Sequence, residues 1–318
     1  MTTSRSRHLV DPGIVGFVDL FPKLVLSDES LAQMRGAGLS APTDPAAMEA
    51  TDLAWRTISG PDGAPDLQIM IITPRTGSGP RPCIFHVHGG GFVAGTAEQF
   101  EGLLRPLAAE LDCIVTSVNY RLAPETAFPG PLEDCYAALA WVFKNAGDLG
   151  VDASRIAVKG ESAGGGLAAG LALLARDRGE YALMFQSLTY PMLDDRTCVA
   201  DPHPYAGEFL WTAPHNAYGW RAYLGVEPGS DGVSPYAAPA RAENLAGLPP
   251  TYICTASLDL FIDENIEYAR RLIRAGTPCE LHVFPGGYHG FDMAPGVAIS
   301  QAAQRDTVEA LRRALRPA

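Results

Sequence analysis

Gly160-Glu161-Ser162-Ala163-Gly164 places a serine between two glycines in the pattern G-x-S-x-G. An apolar stretch with strand character, Arg155-Ile156-Ala157-Val158-Lys159, precedes it, and the small-residue run GGGLAAGLALLA follows. This spacing predicts a sharp strand-to-helix turn that lifts the Ser162 hydroxyl clear of the backbone, where only small neighbours fit. The N-terminus of the following helix would favour negative charge beside it. Those are the conditions for a serine nucleophile.

A serine hydroxyl needs a general base, and the base needs an acid to orient it. On folds that carry such a turn, the chain order is serine, acid, histidine. Four of the seven histidines follow Ser162: 203, 215, 282 and 289. His289 lies in Gly286-Gly287-Tyr288-His289-Gly290-Phe291, just past the end of a predicted strand, whereas His282 lies within that strand. Chemistry in open α/β sheets occurs outside the carboxyl ends of strands, so His289 is the expected base and His282 the second choice. By the same argument Asp259, after the strand ending in Ala256, is the expected acid. Asp194 and Asp195, after the preceding strand, are the alternatives, and Asp263 reads as a residue of the first helical turn.

A second motif is the three-glycine run in His86-Val87-His88-Gly89-Gly90-Gly91-Phe92. Gly89, Gly91 and Ala94 formally fit a dinucleotide-binding G-x-G-x-x-[GA] pattern. That site requires a helix starting directly at the glycines and an acid at the end of the next strand. Here the helix starts late and the next strand ends in Asn119-Tyr120-Arg121. A dinucleotide cofactor is therefore not expected. The remaining reading is an oxyanion loop, in which bare backbone presents N–H groups to a reacting oxygen. His86 and His88 share a strand face, but two ligands without a third do not make a zinc site. His88 reads instead as a brace for the glycine loop.

The elements that must position these groups follow from periodicity. Strands are predicted at 53–59, 67–72, 83–87, 113–118, 156–159, 182–190, 251–256 and 280–284, and helices at 97–111, 132–145, 164–177, 263–275 and 299–315. Strands alternating with helices give an α/β fold with a mostly parallel sheet covered on both faces. The PDGAP turn predicts a hairpin between the first two strands. Residues 1–48 read as short helices broken by Pro and Gly, and about sixty residues separate Tyr190 from Thr251. Both segments are expected to cap a catalytic domain of residues 49–318, with the cap insertion at about 195–230.

The chain has 318 residues and a net charge of −12, with no Lys/Arg run. That balance disfavours nucleic acid and anionic membranes as partners. The longest apolar run is too short to span a bilayer. MTTSRSRHLVDPG lacks the apolar core of a secretory signal, and the six cysteines form no C-x-x-C pair. They read as buried thiols of a cytoplasmic protein.

Taken together, several motifs occur in one order: His88-Gly89-Gly90-Gly91-Phe92, Asn119-Tyr120-Arg121-Leu122-Ala123-Pro124-Glu125, Gly160 to Gly165, Tyr190-Pro191-Met192-Leu193-Asp194, Asp259 to Glu264, and His289-Gly290-Phe291. In this the chain resembles the hormone-sensitive-lipase-like (bacterial family IV) carboxylesterases of the α/β-hydrolase superfamily. The resemblance implies an eight-stranded sheet with a helical cap. It implies Ser162, Asp259 and His289 as a catalytic triad and Gly90, Gly91 and Ala163 as oxyanion donors. It further implies hydrolysis of short-to-medium-chain acyl esters without a cofactor, in a family many of whose members form homodimers. The sequence departs from the family at Glu161, where Asp is more usual, and at Leu260, where Pro often follows the acid. The same triad could cleave an amide, lactone or thioester. A non-catalytic small-molecule-binding protein on this fold is a further alternative, against which the presence of all three triad residues weighs.

Overall fold

A computed structural model describes residues 4–20, 25–36, 40 and 44–316. Parts of the expected N-terminal cap, including residues 21–24, 37–39 and 41–43, lie outside the described residues. Among the described residues two α-helices precede the sheet, α1 (Asp28–Gly36) and α2 (Pro45–Ala50), after short 3-10 turns at Arg7–Leu9 and Phe17–Leu20. The strands are β1 (Thr51–Ile58), β2 (Leu67–Pro74), β3 (Arg81–Val87), β4 (Ile114–Asn119), β5 (Val151–Glu161), β6 (Phe185–Thr189), β7 (Thr251–Ala256) and β8 (Cys279–Phe284). Between and after them run α3 (Glu101–Leu111), α4 (Gly130–Lys144), α5 (Ala146–Leu149), α6 (Ala163–Arg178), α7 (Ala213–Leu224), α8 (Ile262–Arg274) and α9 (Ala298–Leu315).

The sheet order is β1-β2-β4-β3-β5-β6-β7-β8. The expected hairpin forms, with Thr51 opposite Pro74 and Ile58 opposite Leu67. β2 is also antiparallel to β4, and from β4 to β8 every pairing is parallel. The central strands β3, β6 and β7 are buried on both faces, so they read as apolar runs rather than as alternation. One face packs on α4, α6 and α8 through Leu132, Leu139, Leu167, Leu171, Tyr268 and Leu272. The opposite face packs on α3 and α9 through Leu104, Leu107, Leu111, Ala303, Leu311 and Leu315. The parallel strands point their carboxyl ends to one edge of the sheet, where loops can gather functional groups.

Two segments meet above that edge. The N-terminal residues Ser4, Arg5 and Ser6 donate to the Glu208 carboxylate, with the Ser6 N–H at 2.8 Å. The Tyr218 hydroxyl of α7 donates to Asp28 of α1 at 2.8 Å. Arg35 of α1 reaches down to the Val93 carbonyl at 2.8 Å, next to the glycine loop. Helix α7 seats Tyr223 flat on Phe92, with ring centroids 4.1 Å apart. All six cysteines are free thiols, and burial pushes Cys83 up to about 12. Among the described residues no helix is long and apolar enough to cross a membrane.

Candidate active site

Ser162 sits between β5 and α6 with φ 56° and ψ −123°, a conformation a non-glycine residue rarely adopts. Holding it there costs roughly 1–3 kcal/mol, so the surroundings must over-determine the turn. The Ser162 N–H donates to the Thr189 carbonyl at 2.9 Å, and its own carbonyl accepts from Met192 and Gly166, each at 3.0 Å. The flanking glycines allow this closeness. A Cβ on Gly164 would collide with the Val87 and His88 carbonyl oxygens, and one on Gly160 would strike the Gly164 backbone.

His289 and Asp259 arrive on the loops after β8 and β7. These two loops are tied together, Leu258 N–H to the Gly287 carbonyl and Gly286 N–H to the Ser257 hydroxyl, both at 2.9 Å. His289 Nδ1 lies 2.9 Å from Asp259 Oδ2 and His289 Nε2 lies 2.9 Å from Ser162 Oγ. The other Asp259 oxygen accepts the Phe261 N–H at 2.9 Å. Asp259 is fully buried, and Ser162 and His289 are each only 7% exposed. An ionised Asp259 accepts only, so it fixes the proton on Nδ1 and leaves Nε2 free to accept from the serine hydroxyl. Three rings hold the imidazole in place: Tyr190 at 4.6 Å, Phe261 edge-on at 5.3 Å and Trp211 at 6.3 Å between centroids.

The alternatives raised by the sequence are engaged elsewhere. On β8, His282 bridges Glu280 of the same strand and Asp306 of α9. His203 accepts the Ala206 N–H, and His215 lies against the Leu210 carbonyl. Asp194 pairs with Arg196 and Asp195 with Arg241. Asp263 lies in the first turn of α8.

The glycine loop stands across from the serine. Gly90 and Gly91 have φ of 129° and 63°. Among the described residues the N–H groups of Gly90 and Gly91 donate to no protein acceptor. The Ala163 N–H is at the first position of α6, where a helix has no partner of its own. His88 braces the loop as expected: its Nδ1 lies 2.9 Å from the Gly89 carbonyl, its ring stacks on Tyr120 at 4.2 Å, and the Tyr120 hydroxyl donates to the His88 carbonyl at 2.8 Å. Burial lowers the His88 pKa to about 4, so it is neutral near pH 7.

Two features of the site escaped the sequence reading. Trp211 is one of several aromatic residues in the long segment after β6, yet its indole lies directly on Gly91. Tyr190, the residue immediately after β6, with φ 34°, supplies the ring nearest the imidazole. A tyrosine immediately before Pro191, at the carboxyl end of a central strand, was the available signal for the second.

Comparison with known proteins identifies the family and the fold. A model of the α/β hydrolase fold family matches residues 84–293, from β3 through His289. The chain is 36% identical over 311 residues to Esterase LipI of Mycobacterium tuberculosis, covering 96% of each chain. It is 34% identical over 313 residues to Carboxylesterase NlhH of the same species, covering 98% of each. Among solved structures, Bacterial Heroin Esterase superposes with a TM-score of 0.90 at 42% identity, covering 97% of this chain and 99% of that one. Esterase LipW from Mycobacterium marinum superposes at 0.84 with 34% identity, covering 98% of each. The chain belongs to the α/β hydrolase fold family, in its hormone-sensitive-lipase-like branch.

Proposed function

We propose that this protein is a serine carboxylesterase acting on short-to-medium-chain acyl esters. The observation that carries the reading is the unbroken hydrogen-bonded chain Asp259–His289–Ser162 at a strained turn packed against the glycine loop, whose Gly90 and Gly91 N–H groups have no protein acceptor among the described residues. Its relatives named as esterases support the reaction class. Ser162 Oγ forms a bond to the ester carbonyl carbon while its proton moves to His289 Nε2. The carbonyl π electrons move onto oxygen, and that oxyanion accepts from Gly90, Gly91 and Ala163, each donor contributing about 2.7–4 kcal/mol. Asp259 stabilises the imidazolium. The carbon–alkoxy bond then breaks, and the imidazolium proton leaves with the alcohol. Water repeats the sequence on the acyl-enzyme, giving the acid and restoring the serine.

The segments meeting above the sheet edge form the cap, comprising the N-terminal residues and the stretch carrying Phe209–Leu224. Trp211 is its working surface. A Cβ on Gly91 would run into the indole, and one on Gly290 would come 3.2 Å from Leu210. Residues 210 and 211 therefore reach from the oxyanion loop to the histidine loop. Bulk at that place limits the acyl chain. Hydrolysis of p-nitrophenyl esters from acetate to palmitate tests the function. Turnover confined to the short and medium chains is expected, and inactivity on all of them defeats the reading. Trp211→Leu should raise the kcat/KM ratio of octanoate to acetate by about tenfold, within the range of a few methylenes in a hydrophobic pocket. An unchanged ratio in a folded, active variant removes Trp211 from the acyl site.

Gly91→Ala makes a separate prediction for the oxyanion loop. The added methyl meets Trp211 and sits at a φ of 63° that favours glycine. Displacing one donor should lower kcat by about 10²–10³. Retention of wild-type kcat in that variant would take the oxyanion role away from Gly91.

A further inference from the structure

Beneath the serine turn runs a chain of buried polar side chains that the triad does not use. On β5 alternate residues share a face, so Lys159 and Glu161 project together, beside His86 of β3 and, beyond it, Ser117 of β4. The register pairs Lys159 with His86 and His86 with Ser117. One Glu161 oxygen takes the Lys159 ammonium and the other lies 2.8 Å from His86 Nε2. His86 Nδ1 lies 2.8 Å from the Ser117 hydroxyl. All four residues are buried, His86 and Ser117 completely.

Burial holds His86 neutral. Its single ring proton therefore serves the charged acceptor, Nε2–H to Glu161, and Nδ1 accepts from the Ser117 hydroxyl. Burying an ion pair where apolar side chains would pack seldom adds stability. The cluster's position suggests what it does instead. Glu161 immediately precedes Ser162, while His86 stands two residues before the glycine loop opens at His88. The backbones of the two parts already touch: a Cβ on Gly89 would lie 2.8 Å from the Glu161 carbonyl and 3.5 Å from Ser162 Cβ. Lys159 is also within electrostatic range of Asp292, which accepts the Tyr190 hydroxyl at 2.7 Å, and Tyr190 carries the ring against His289.

We propose that Glu161 is a positioning residue that clamps the oxyanion strand to the nucleophile turn, through His86 on one side and Lys159 on the other, and so fixes the distance between Ser162 and the Gly90–Gly91 donors. Glu161 touches no reacting atom in this scheme. It acts by keeping two halves of the site in register, and that register matters when the tetrahedral oxyanion forms rather than when substrate binds. Loss of the clamp should therefore lower kcat and leave KM nearly unchanged.

The proposal rests on the esterase reading, and the experiment separates the two. Glu161→Gln preserves shape and removes the charge. With a short p-nitrophenyl ester its kcat should fall by about 10- to 100-fold with KM within about twofold. Affinity for a trifluoromethyl ketone, which forms a reversible tetrahedral adduct, should fall in parallel, and Glu161→Asp should recover part of the loss. Wild-type kcat in Glu161→Gln, or a change confined to melting temperature, overturns the proposal. If that variant does not fold, Ser117→Ala decides, since it removes only the far end of the chain. A kcat lowered severalfold at constant KM supports the clamp, and an unchanged kcat overturns it. If the wild type hydrolyses no ester, the esterase reading fails by itself. The rate of Ser162 labelling by a fluorophosphonate then gives the same comparison, slower labelling in the variant supporting the clamp and equal labelling overturning it.

Discussion

Ser162→Ala should abolish turnover of a short ester, lowering kcat by about 10⁶ while the melting temperature stays near that of the wild type. The size of the effect follows from removing the one atom that forms the acyl bond. The fold should survive because the hydrogen bonds that define the turn are made by the backbone: Ser162 N–H to Thr189, and the Ser162 carbonyl from Met192 and Gly166. Alanine keeps the same Cβ at the same strained φ, so no new backbone cost arises. What the substitution removes is the hydroxyl's hydrogen bond to His289. Because the three residues act as a unit, adding His289→Ala to Ser162→Ala should cost little more, and a multiplicative loss would contradict that unit. Kinetics on p-nitrophenyl acetate with a parallel thermal melt reads both numbers. A Ser162→Ala variant within tenfold of wild type would remove Ser162 as the nucleophile.

The second large effect is expected at Asp259→Asn, about 10⁴ in kcat with little change in KM. The carboxylate now accepts from His289 Nδ1–H and from the Phe261 N–H. An amide at that place can keep the Phe261 bond through its oxygen, but its nitrogen then faces Nδ1 as a donor. The imidazole must put its proton on Nε2, where it opposes the serine hydroxyl proton and cannot accept it. The fold is preserved and the tautomer is wrong. Corresponding changes at Asp194 or Asp195 should leave kcat within a few-fold, because those carboxylates are committed to Arg196 and Arg241. A small effect at Asp259 and a large one at Asp194 or Asp195 would reassign the acid.

The parts of this site that lie at strand ends were readable from the chain alone. The serine turn announces itself because the positions two before and two after it, Gly160 and Gly164, have no room for a Cβ, and His289 and Asp259 each follow a strand by a few residues. The α/β alternation and the eight strands came from apolar periodicity, with bounds that shifted by a few residues. The β5 strand, for example, extends from Val151 through Glu161 rather than stopping at Lys159. What sequence could not supply was the outcome of long-range packing. Nothing in the segment after β6 marks Trp211 above Phe209 or Trp220 as the ring that covers Gly91. The link from Glu161 to His86 joins residues 75 positions apart. Its sequence signal was a lysine and a glutamate beside the apolar Ile156-Ala157-Val158 at the buried end of a central strand, an expensive placement that asks for a partner. The spacing of His86 and His88 raises a metal pair, which the lack of a third ligand sets aside, and the brace reading covers His88 alone. In the structure the two rings separate in duty, one pairing with Glu161 and Ser117 and the other bracing Gly89.

Everything proposed for this site requires that Ser162 be the residue that reacts. The most direct measurement is mass spectrometry of the intact protein and its peptides after exposure to a phosphonate ester with a p-nitrophenol leaving group. A single adduct on the peptide carrying Ser162, formed as esterase activity falls to zero and missing in Ser162→Ala, is the predicted result. No adduct on an active enzyme, or an adduct that persists in Ser162→Ala, would contradict it.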